Sequence, residues 1–126
     1  MRTIIAAMLV VSCSACAADF SARVAEGNEA IATPEGEAYD ASLAPTIHAA
    51  IVACIPPGPS APGQTGKFAL VGVVDSYGKL SSVRVEPTTT SSRCFADKLS
   101  SSTLPPAPTT KRWGHAYPLT VEMTIQ

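Results

Sequence analysis

Residues 66–86 read GKFALVGVVDSYGKLSSVRVE. Two runs rich in β-branched and apolar residues flank Ser76-Tyr77-Gly78-Lys79, a turn in which Gly78 suits a positive φ. In the first run, Lys67 to Asp75, one face carries Phe68, Leu70, Gly72 and Val74; the other carries Ala69, Val71 and Val73. The second, Leu80 to Glu86, returns with Val83 and Val85 pointing one way, until Pro87 and TTTSS end it. The stretch therefore reads as a β-hairpin.

Working outward, the C-terminal residues give the cleanest period of two. Leu119, Val121, Met123 and Ile125 alternate with Thr120, Glu122, Thr124 and Gln126, which predicts a third strand. On the N-terminal side, residues 40–55 place Leu43, Ile47 and Ile51 at spacing four, with Ala44, Val52 and Ile55 beside them. A helix is expected there, capped by Asp40 or Ser42, with Pro45 tolerated only in its first turn and Pro56-Pro57 ending it. Residues 56–66 then form a stiff, turn-rich connection. A second helix, capped by Ser91 or Ser92, runs to about Ser102 on the apolar residues Cys94, Phe95 and Leu99. Leu104-Pro105-Pro106-Ala107-Pro108 stops it. The order helix, strand, strand, helix, strand implies an α+β domain over residues 40–126: a three-stranded antiparallel sheet with two helices packed on one face.

Residues 19–39 are acidic, contain Gly27, Pro34 and Gly36, and offer only Phe20, Val24 and Ile31 as apolar anchors. They read as a flexible arm with a brief helical turn near Phe20–Ala25. Ahead of them, Arg2, the run TIIAAMLVV and the small residues SCSACAA make residues 1–18 a signal peptide. Its cleavage frames are Ala15-Cys16-Ala17 and Cys16-Ala17-Ala18. A retained anchor is the alternative, although the apolar stretch is short of the roughly 20 residues a span needs. A further alternative is lipidation of Cys13, after Val10-Val11-Ser12. Cleavage after Ala17 or Ala18 leaves two cysteines, Cys54 and Cys94, and in an oxidising compartment these pair. The location expected is the periplasm, with an outer-membrane lipoprotein as the alternative.

The hairpin, the short helix after it, the PPAP segment and the ending G-HAYPLTVEMTI together resemble the C-terminal domains of the TonB and TolA family. The cysteine pair is more similar to the TolA branch. Where that family has Trp-x-Phe before the proline, this chain has Ser102-Thr103-Leu104, and Trp113 follows downstream. The resemblance implies a non-enzymatic module that accepts an extended peptide along a sheet edge. Carried onto this chain, that edge is Leu119, Thr120, Val121, Glu122, Met123, Thr124 and Ile125, with Thr120, Glu122 and Thr124 on the solvent face. The implied partner is an envelope or outer-membrane protein. Alternatives are a structural envelope lipoprotein without a peptide ligand, and a secreted inhibitor presenting the Pro-rich loop.

Charge and motifs narrow the chemistry. Residues 41–126 hold seven bases and four acids, without a basic run, so nucleic acid is not an expected partner. A membrane is expected only if Cys13 is lipidated. His48 and Cys54 are six residues apart, which misses the spacing that puts two metal ligands on one helix face. With no G-x-S-x-G elbow and no Gly-rich phosphate loop in the sequence, neither an enzyme nor a cofactor is expected.

Overall fold

The computed structural model describes residues 14–55 and 66–125. Cys13, most of the expected signal segment and the Pro-rich residues 56–65 lie outside the described residues. The elements run α1 (Ser14–Ile31), α2 (Pro34–Cys54), β1 (Gly66–Val74), β2 (Leu80–Glu86), α3 (Thr90–Ser100) and β3 (Tyr117–Ile125). The three strands form one antiparallel sheet in the order β2-β1-β3. The expected fold class is the one observed, with one helix more than expected.

The sheet register assigns side chains to faces. Leu70 lies opposite Val85 and Val121, and Val74 opposite Leu80 and Tyr117. With Phe68, Leu119 and Ile125 these build the first face. They join Leu43 and Ala50 of α2, and Phe95 and Leu99 of α3, in one core. Phe68 and Phe95 meet at 5.6 Å between ring centroids. Trp113 is half-buried against the same core.

Residues 19–39 depart from the expected arm. They lie in α1, in the turn after it and in the first residues of α2. Six of the 18 residues of α1 are alanine, the strongest helix former. Thr33 caps α2 by accepting a hydrogen bond from the Gly36 N–H, with Pro34 beginning the helix and Glu35 and Glu37 in its first turn. The helix therefore starts before Asp40, and Pro45 sits in its interior rather than in its first turn. In α3 the cap is Thr89, not Ser91 or Ser92. Thr89 Oγ1 accepts from the Ser92 N–H while Ser92 Oγ accepts from the Thr89 N–H, a reciprocal capping box.

The second face of the sheet carries Val71, Thr120 and Arg84 in one row, and α1 lies across it. Phe20 is buried and Arg84 stacks over its ring at 5.8 Å. Arg84 also pairs with Asp19, and Arg23 donates to the Ser82 carbonyl at 2.6 Å. Ser82 has a positive φ of 53° within a β2 bulge, where the register slips between Val71 and Val73. At Gly27 the helix backbone presses on the sheet. A Cβ there would stand 1.9 Å from Thr120 Oγ1.

Cys54, at the end of α2, is disulfide-bonded to Cys94 in the first half of α3. The pairing expected from cysteine counting is present. It excludes Cys54 as a metal ligand or a free thiolate.

Candidate functional site: the free edge of the last strand

Since β1 is central, β3 has one edge without a strand neighbour among the described residues. Backbone direction alternates along a strand, so one fixed bond decides which groups face outward. The Asp75 N–H donates to the Lys79 carbonyl, across the hairpin. Asp75, Val73, Val71 and Ala69 therefore direct their backbone groups toward β2, and Phe68, Leu70, Gly72 and Val74 direct theirs toward β3. Their partners Met123, Val121, Leu119 and Tyr117 point back at β1. That leaves Pro118, Thr120, Glu122 and Thr124 facing the free edge. Pro118 agrees with this assignment, because a proline inside a strand is tolerated where its missing N–H would face away from the ladder.

The side chains of the expected edge set divide differently from the expectation. Leu119, Val121 and Ile125 are buried in the core, and Met123 is half-buried against it. Glu122 and Thr124 are exposed. Thr120 is not on the solvent face: it is 4 % exposed, and its hydroxyl donates to the Arg23 and Val24 carbonyls of α1 at 3.4 Å each. The expectation failed because it left nothing to cover the second face. Since α1 crosses β3 at Thr120, no described residue of that helix covers the face from Glu122 onward.

Beyond the helix lies a groove of about 630 Å³. Its walls come from all three strands and include Lys67, Ala69, Glu86, Pro87, Glu122 and Thr124. Glu86 and Glu122 both stand opposite Ala69, one on each neighbouring strand. No family model, curated protein or solved structure matches the chain.

Ser76 Oγ and His115 Nδ1 are hydrogen-bonded at 2.7 Å, and Thr109 Oγ1 lies 3.3 Å from the same nitrogen. Two hydroxyls on one ring nitrogen make a latch between the hairpin turn and the segment after α3. Asp75, next in the chain, does not join it, because its carboxylate accepts from the Lys79 and Tyr77 N–H groups. Those bonds, that from Lys79 foremost, hold its carboxyl below the ordinary range. A second cavity of about 590 Å³ lies between the α1–α2 junction and the turn at 109–113. There Arg112 pairs with Glu29 and stacks on Trp113 at 4.7 Å. Among the described residues no cluster of three His, Cys, Asp or Glu could hold a metal. His48 is exposed on α2.

Sequence reading missed the seat of α1. The signal was present: Phe20, Val24 and Gly27 recur at helical spacing, but the stripe narrows to glycine where it meets the sheet.

Proposed function

We propose that this chain is an exported, non-enzymatic protein-binding module of the bacterial cell envelope, similar to TonB and TolA C-terminal domains. A partner binds by adding an extended segment to the free edge of β3. The observation that carries this reading is that the outward main-chain groups of Glu122 and Thr124 adjoin a groove that α1 leaves open. Main-chain hydrogen bonds would supply affinity, and side chains at alternate positions would supply selectivity. The hairpin, the short helix and the final strand, in that order, support the same reading. Export rests on the N-terminal run of Arg2, apolar residues and small residues. Among the described residues no helix is long and apolar enough to cross a membrane.

The test uses phage-displayed random decapeptides selected on the immobilised protein. Thr124→Pro removes an outward N–H without touching the ladder to β1. The selected peptides should then bind about tenfold more weakly, the order expected for one lost hydrogen bond with some displacement of the strand. Unchanged binding by a folded Thr124→Pro protein would place the peptides elsewhere and sink the edge reading. Val121→Pro serves as the contrast. Its N–H points at β1, so that variant should lose the fold itself.

A further inference from the structure

The groove beside the free edge has a charge pattern, and that pattern names the side chain a bound segment would carry. The inference rests on the edge reading above and adds the chemistry of the partner. Glu122 directs its backbone toward the free edge and its side chain onto the second face of the sheet. In antiparallel addition, the partner residue directly opposite it would exchange both main-chain bonds with it. That residue's side chain would stand beside the Glu122 carboxylate, close enough to pair. The neighbouring residue of β1 is Ala69, too small to fill the space, and Glu86 lies one strand further on. Two carboxylate-bearing positions are thus separated by two strand spacings, about 9.5 Å, with only a methyl group between them.

Their charges are not equally committed. Glu86 pairs with Arg84 at 3.5 Å. Among the described residues Glu122 makes no ion pair and is exposed. Lys67 lines the same groove one row along, opposite Thr124. The position two residues away from the one facing Glu122 therefore meets an ammonium group, and a second basic residue there would be repelled.

We propose that the β3 edge selects an extended partner segment with a single basic side chain, lysine or arginine, at the outward position opposite Glu122. Its charge pairs with the Glu122 carboxylate, which the small Ala69 leaves uncrowded on its inner side. The intervening side chains of the segment turn to the first face, beside Met123 and Ile125, and are apolar.

The experiment compares decapeptide selections on the wild-type protein, on Glu122→Lys, on Glu122→Gln and on Thr124→Pro. On the wild type, peptides alternating apolar and polar residues should be enriched. One polar position should be Lys or Arg severalfold above the library frequency, and the next polar position should not. On Glu122→Lys, Asp or Glu should replace the basic residue at that position. On Glu122→Gln, the basic preference should fall without inverting. The same consensus on wild type and Glu122→Lys would overturn the charge assignment while leaving edge addition standing. No enrichment on the wild type beyond that on Thr124→Pro would remove the edge reading, and this inference with it.

Discussion

On one face of the sheet, Phe68, Leu70, Val74, Leu119 and Val121 meet Leu43, Phe95 and Leu99, and Cys54–Cys94 ties the two covering helices together. On the other face, the described part of α1 brings the large buried side chain of Phe20 and approaches most closely at Gly27, while Ala30 packs into the core of the first face. The first face is stabilised by apolar area and a cross-link, and the second by the absence of side chains that would hold helix and sheet apart. Removing bulk should damage the first face, whereas adding bulk should damage the second. The contrast matters for function, because α1 decides how much of the second face, and so of the groove beside β3, stays open.

The largest effects belong to the first face. Phe95 is fully buried, and Phe95→Ala should cost about 4 kcal/mol, measured by urea unfolding with the disulfide intact. Replacing Cys54 and Cys94 together by Ala should cost about 4 kcal/mol on the chain-entropy model for 40 residues of separation. A loss under about 1 kcal/mol in either variant would mean that this face is not the principal support of the fold.

Gly27→Ala tests the second face. Alanine is the better helix former, so propensity alone forecasts a gain of about 1 kcal/mol. The close approach to Thr120 forecasts the reverse, about 1–3 kcal/mol lost to overpacking. Amide exchange should rise in residues 19–31 while β1 and α3 keep their protection, because the helix would lift without unfolding the first face. A stabilised Gly27→Ala protein would show that α1 does not press on the sheet.

How much of this was legible in the sequence follows from the same contrast. The first face announces itself through large residues at regular spacing, Phe68-Leu70, Leu119-Val121 and Leu43-Ile47-Ile51, so the sheet and both of its helices could be read. The cysteine pair could be read by counting. The second face uses glycine as its contact residue, and Gly27 looks like a breaker when taken alone. Thr120 was misplaced for the same reason: a threonine between apolar residues reads as solvent-facing unless a helix is known to lie above it. The edge position of β3 needed the observed order β2-β1-β3, because strand order is a matter of tertiary pairing. The orientation of its free N–H groups needed one hydrogen bond, at Asp75, to settle the alternation.

The smallest effect compares two tyrosines within the first face. Tyr39 and Tyr117 meet edge to face at 5.0 Å, and both are almost fully buried. The Tyr39 hydroxyl donates to the Pro105 carbonyl at 2.8 Å, fastening α2 to the proline segment after α3. The Tyr117 hydroxyl has no hydrogen-bond partner among the described residues. Tyr39→Phe should therefore cost about 1 kcal/mol, while Tyr117→Phe should cost nothing or stabilise the protein slightly. Burial, with the neighbouring Tyr117, pushes the Tyr39 phenol up to about 12 from 10.0. A phenol pKa raised in the folded state contributes stability below pH 10 that is lost as pH climbs toward 12. Alkaline unfolding of the wild type should steepen across that window, and the Tyr39→Phe protein should be less sensitive to pH there. Equal alkaline profiles for the two proteins would mean that the Tyr39 hydroxyl reaches water, and that this end of the first face is less tightly closed than its burial implies.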